Sequence, residues 1–145
     1  MSASRAGRFG AVLATLWAAH DLGDHLLQTD HQATGKAGPG AAGWRAMAGH
    51  VATYHAAQVA ALAAADRALG LGLRPGRVAV AVALSASTHA FLDRRWPVRW
   101  VLQHTGSPAF ADLTTPINGP YVADQALHHT VLWVAALIAA TGRDD

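Results

Sequence analysis

The residues able to do chemistry in this sequence concentrate in one stretch, Ala19–Asp30, AHDLGDHLLQTD, where His20, Asp21, Asp24 and His25 fall within six residues. They interrupt an apolar run, Phe9–Ala19, that reads as a single helix. Residues four apart on a helix share a face. His20, Asp24 and Gln28 therefore form one polar stripe, with Asp21 at its edge and His25 on the flank. A histidine and a carboxylate one turn apart can chelate a metal or pass a proton. One such pair is commonplace on helix surfaces, but here the spacing recurs as His50/Tyr54, His89/Asp93 and Asp124/His128.

The expected elements place these pairs. A first helix is expected from about Arg8 to Gln28, followed by a glycine-rich loop from Gly35 to Gly43. A second runs from near Trp44 to about Leu69, stopped by Gly70 and Gly72. A third covers Val78–Asp93. Its VAVAVAL start alternates like a strand, but a lone strand would have no partner. Arg94 and Arg95 suit its C-terminus, and Trp96-Pro97 ends it. A short helix over Val98–Thr105 and an irregular Gly106–Pro120 stretch lead to a last helix from Pro120 to about Thr141.

In the first and third helices the pair lies near the C-terminal end, in the second and fourth near the N-terminal end. Short connections favour antiparallel neighbours, so an up-down-up-down bundle brings all four pairs to one level. The opposite level is expected to be apolar, packed by Ala, Val, Leu, Trp17 and Trp133, without ionisable groups. The competing reading is a buried polar network that fixes the register of the bundle. Burying so many ionisable groups is costly unless they are paired or bind a metal, and this favours a site. His25, His55 and His129 each follow a pair member by one position and are expected to support it from behind. His31 and His104 are expected to be solvated.

Composition narrows the chemistry. The 145 residues make one domain, 1–145, with no cysteine and no glutamate, so any metal must sit on histidine, aspartate or water. Lys36 is the only lysine, and a net charge of +2 gives little reason to expect nucleic acid. The chain is 52% hydrophobic with few charges, which fits a tightly packed helical bundle or a small membrane protein. No stretch of 18 apolar residues is free of polar interruption, so the ordinary spanning signal is incomplete. The basic, then apolar, N-terminus is read as a retained helix and not a signal peptide.

The spacing resembles a bacterial family known as domain-of-unknown-function family 3307. Its first-helix pattern matches His20, Asp24, Leu27, Gln28 and Lys36. A second-helix histidine matches His50 in GHVATYH. THAFLDRRWP matches with His89 and Asp93, and the late Asp-Gln-x-x-His with Asp124, Gln125 and His128. The resemblance implies a small multi-helix membrane protein with a His/Asp layer, located in the bacterial inner membrane, with a cytoplasmic location as the alternative. The chain departs from the pattern at His25, where an aromatic residue often follows the first-helix aspartate.

The expected fold is an all-α, antiparallel four-helix bundle spanning a membrane, with a short extra helix between the third and fourth main helices. The expected function is a metal-dependent hydrolase, with a phosphoester as first substrate class and a small molecule or a lipid as substrate. His20, Asp24, His50, His89, Asp93, Asp124 and His128 are the candidate ligands; seven donors exceed one tetrahedral site and suit two divalent Zn, Mn or Fe ions, or one ion with an acid and a base. Asp21 is the expected base, Tyr54 the donor to a developing oxyanion and Arg94, with Arg95, the phosphate anchor. Two rivals are a metal-binding or proton- and ion-relay membrane protein without catalysis, and a DNA-associated regulator using Arg94, Arg95 and Arg99 with Trp96 and Trp100. The same arginines and tryptophans suit a membrane interface, and no recognition-helix motif supports the regulator.

Overall fold

The structure, a computed structural model, describes residues 4–141. Among these residues every regular element is helical: α1 (Arg5–Asp21), a π-helical segment (Leu22–Leu26), α2 (Asp30–Gly35), α3 (Gly40–Leu69), α4 (Pro75–Leu92), α5 (Trp96–His104), a 3-10 turn (Pro108–Asp112) and α6 (Gly119–Ala140). The VAVAVAL stretch is helical, as expected from its neighbours.

The boundaries follow local chemistry. The Ser4 side chain accepts from the Gly7 amide at 3.1 Å and starts α1. Thr29 and Gln32 cap one another's orphan groups at the start of α2. This capping box supports a short helix between Gln28, the expected end of the first helix, and the glycine-rich loop from Gly35, where no helix was expected. Gly70 ends α3 in the left-handed conformation. Pro75 opens α4, and Asn118 accepts from the Tyr121 amide at 3.0 Å to open α6.

The expected first helix is not continuous to Gln28. It changes winding after Asp21, where the Leu27 amide bonds the Leu22 carbonyl at 3.0 Å. This i to i+5 step takes one more residue into the turn, a local device common at functional sites. Gly23 permits it against α3, since a Cβ there would lie 2.8 Å from the Tyr54 ring.

α1 packs against α3 and α6, and α4 packs against the same two helices. Val12, Leu16, Leu62, Leu71, Ala81, Leu132, Ala135, Ala136 and Ala139 form one apolar cluster. In α1 and α4 this cluster precedes the buried histidine; in α3 and α6 it follows it. The four long helices therefore alternate in direction. Four of the nine cluster residues are alanine, and small side chains let helix backbones approach closely. Two expectations for the apolar level fail. Trp17 and Trp133 are 44% and 48% exposed at the periphery, Trp17 stacked on His129 and Trp133 edge-on to Phe9. Arg8 is also buried there.

Candidate functional site

Four elements deliver the site. The π segment carries Asp24, α3 carries His50, α4 carries His89 with Asp93 at its C-cap, and α6 carries Asp124 and His128. Asp24, His50, His89 and Asp93 are all buried, and each presents one donor atom within 4.8 Å of the others. His50 Nε2 lies 3.2 Å from both Asp24 Oδ1 and Asp93 Oδ2, and 2.8 Å from His89 Nε2. His89 Nε2 lies 3.1 Å from Asp93 Oδ2. Tetrahedral ligands with bonds of about 2.0–2.1 Å stand roughly 3.3 Å apart, so this group of donors could hold a divalent ion. Asp93, Asp124 and His128 form an adjoining group of the same kind, with His128 Nε2 at 3.7 Å from Asp93 Oδ1 and 3.6 Å from Asp124 Oδ1.

A lysine completes the cluster. Lys36, the residue after α2, is 7% exposed, and its Nζ lies 2.9 Å from Asp93 Oδ2, 3.5 Å from Asp24 Oδ1 and 3.2 Å from His50 Nε2. The α2–α3 loop holds it there. Arg94 donates to the carbonyls of Lys36 at 2.8 Å and Gly38 at 2.9 Å while lying over the Trp44 ring. Burial alone would push the Asp24 carboxyl up, but the His50 hydrogen bond and the Lys36 charge outweigh it and hold Asp24 below the usual carboxylate range. Burial also works against ionised Asp93; the surrounding His128, His50 and His89 imidazoles overcome it and hold that carboxyl lower still.

The expected ligand set divides. His20 stays out of the central cluster: its Nδ1 pairs with the Tyr54 hydroxyl at 2.8 Å and its Nε2 with Gln125 Oε1 at 2.9 Å. His20 lies in α1 and Asp24 in the π segment that follows it, and the two side chains take different partners. Gln125 spans the gap by donating to both Asp24 Oδ2 and Asp124 Oδ2 at 3.3 Å. His20 forms instead a separate potential ligand group with exposed Asp21 and His129.

Tyr54 is 1% exposed and held by His20 and by Gln58 Nε2 at 2.8 Å, so its hydroxyl orients His20 and does not face substrate space. Arg94 is committed to loop carbonyls, which replaces its expected role as phosphate anchor with a structural one. Of the flanking histidines, His55 bonds Ser85 at 3.1 Å and the Val51 carbonyl at 2.8 Å, and His129 stacks on Trp17. His25 pairs with the Tyr121 hydroxyl at 2.6 Å.

A cavity of about 560 Å³ opens on the cluster. Asp24, Lys36, Asp93 and Asp124 reach it from below, while α5, the 3-10 turn and the start of α6 wall it. Arg95 and Arg99 line it, and Arg99 pairs with Asp112. The buried histidines lie beneath this floor, so the seven expected ligands do not all line one pocket. Arg95 has φ 66°, and the Trp96 amide bonds the Arg94 carbonyl at 2.8 Å around it. This is the rare positive-φ γ-turn, a strained conformation for a residue with a Cβ.

Sequence reasoning placed Lys36 and Gln125 only within the family pattern and gave them no role. Lys36 lies in a glycine-rich loop where spacing says nothing about burial, and its one signal was being the only lysine. No family model, curated protein or solved structure matches this chain.

Proposed function

We propose that the chain is a metal-dependent hydrolase acting on a phosphoester. The convergence of Asp24, His50, His89 and Asp93 beneath a cavity lined by Lys36, Arg95 and Arg99 carries this reading. Zn, Mn and Fe all accept such a mixed nitrogen and oxygen set. The ion would supply an activated water at neutral pH and Lewis acidity toward the scissile group. Arg95 and Lys36 then meet the anionic substrate, and Asp124, at the cavity edge and beside His128, is placed to take a proton. Turnover of a generic phosphodiester by purified protein, measured beside metal content, tests the reading. Activity should be lost in His89→Ala and Asp93→Ala. Full activity in both variants overturns it.

A relay reading has one observation of its own. A hydrogen-bonded chain runs from Gln58 through Tyr54, His20 and Gln125 to Asp24 and Asp124. Metal binding with no turnover of any phosphoester would favour it.

The bundle is further proposed to cross a membrane, as four helices around the polar layer. All five tryptophans are 44–59% exposed, as are Val59 and Val80. No aspartate, glutamate, lysine or arginine occurs in 9–20, 46–65, 78–92 or 125–142. Among the described residues one helix, Gly119–Ala140, is by itself long and apolar enough to span, and only 28% of its apolar window is buried. Interfacial tryptophan and arginine around α5 fit the edge of a bilayer. The resemblance to family 3307, which rests on the same residues, points the same way.

A further inference from the structure

The only lysine of the chain stands where a metal site would ordinarily exclude it. Its Nζ is within 3.5 Å of three of the four central donor atoms, Asp24 Oδ1, His50 Nε2 and Asp93 Oδ2. The fourth, His89 Nε2, lies against His50 and Asp93. Lys36 therefore caps one face of the donor set without taking its centre. It also lines the cavity, so its amine borders both the carboxylates and the space where a substrate would enter.

We propose that Lys36 is a tethered cation that shares the Asp24 and Asp93 carboxylates with a divalent ion, and that metal entry releases its amine into the cavity to hold the substrate's anionic group. This inference rests on the metal-site reading above.

Three carboxylates, of Asp24, Asp93 and Asp124, face one ammonium and the His128 imidazole and leave a net negative floor. Such a floor attracts a divalent cation and repels an anion. When the ion arrives, the same carboxylates are drawn to the stronger charge, and the ammonium meets a cation at close range in a partly desolvated site, where repulsion is poorly screened. Its flexible four-carbon stem lets it turn away. Arg95 is already in the cavity wall, with its guanidinium held by the Ala33 carbonyl at 3.1 Å. Released Lys36 and Arg95 then form a site for a phosphate or phosphoester group that exists only in the metal-loaded protein. Metal and anion bind in order, and the anion site is absent when the metal is absent.

Lys36 reports on itself cleanly, since only the amino terminus shares its amine chemistry. The full chain, with Lys36→Met and Lys36→Arg variants, is titrated with Mn²⁺ alone. Removal of the competing charge should tighten Mn²⁺ binding in Lys36→Met by about tenfold or more, while Lys36→Arg stays near wild type. In the wild-type protein, Mn²⁺ should raise acetylation of Lys36 read by mass spectrometry. Inorganic phosphate is then the anion probe: its ³¹P line should be broadened by the Mn²⁺-loaded wild type and by Lys36→Arg, and not by Lys36→Met. Equal or weaker Mn²⁺ binding in Lys36→Met, or acetylation that holds or falls on loading, overturns the exchange while the metal site stands. Retained phosphate broadening in Lys36→Met overturns the anion role. Absence of Mn²⁺ binding in wild type and Lys36→Met alike overturns this inference and the metal-site reading together. Should Lys36→Met fail to fold, the acetylation result on the wild type decides.

Discussion

Asp93 is the residue on which most of the site depends. It contacts Lys36, His50, His89 and His128, and its removal leaves a buried ammonium without its nearest counter-charge. Asp93→Ala should therefore lower metal occupancy sharply and also destabilise the metal-free protein by about 3–5 kcal/mol, read by elemental analysis and chemical denaturation. Its pH behaviour has a definite sign. Asp24 and Asp93 both titrate below the ordinary carboxylate value in the folded chain. The stability they confer is complete above about pH 4 and is lost as pH falls further toward their folded values. In chelator, the thermal midpoint of the wild type should drop steeply below about pH 4. Asp93→Asn should show a shallower drop, and parallel curves would remove Asp93 as a source of acid lability. Arg95 makes the complementary case. Its positive-φ γ-turn costs roughly 1–3 kcal/mol for a residue with a Cβ. Arg95→Gly should raise the melting temperature while weakening phosphate binding by the metal-loaded protein. A gain in stability with unchanged phosphate binding would make the turn a feature of the fold alone.

At the scale of elements, the α2–α3 connection is what brings Lys36 in. Gly43 lies so close to the Gly38 carbonyl that an added Cβ would overlap it. Gly43→Ala should therefore push the loop away from α3 and disturb Lys36 and the Arg94 contacts together. The expected result is a loss of about 1–3 kcal/mol in stability, the range seen for overpacking, and faster acetylation of Lys36 without metal. Unchanged labelling would mean that the lysine is placed independently of this loop. The π segment acts in the same way on the other side. It turns Asp24 toward His50 and leaves His20 to Tyr54 and Gln125, so one helix serves two hydrogen-bonded groups.

For the whole molecule, the relevant contrast is between a polar layer buried among four helices and an outer face rich in tryptophan and valine. A water-soluble bundle ordinarily places charges on such faces. The chain should therefore sediment with membranes, resist carbonate extraction and need detergent in purification. Its tryptophan fluorescence should be quenched by lipids brominated on their acyl chains. Recovery as a stable monomer in buffer alone, with tryptophan emission insensitive to vesicles, would refute the membrane placement and leave the metal site untouched.

Helical class and the approximate positions of the long helices were legible in the sequence, though not the break of the first helix at Asp21. These depend on local signals: the four-residue spacing of His and Asp, and the Gly and Pro stops. Which atoms meet was not legible. His20 pairs with Tyr54 and Gln125 while Asp24 meets Lys36 and His50, and all but Lys36 lie far from them in sequence. Lys36 enters the cluster because Arg94, from the end of α4, holds the carbonyls of a loop that by composition reads as solvent-exposed. Arg95 and Arg99 reach the cavity, and Arg94 does not, because the backbone reverses sharply at Arg95. Periodicity assigns a side chain to a face of its own helix. The distance between two faces, and the charge that fills the space between them, are set only when the helices pack.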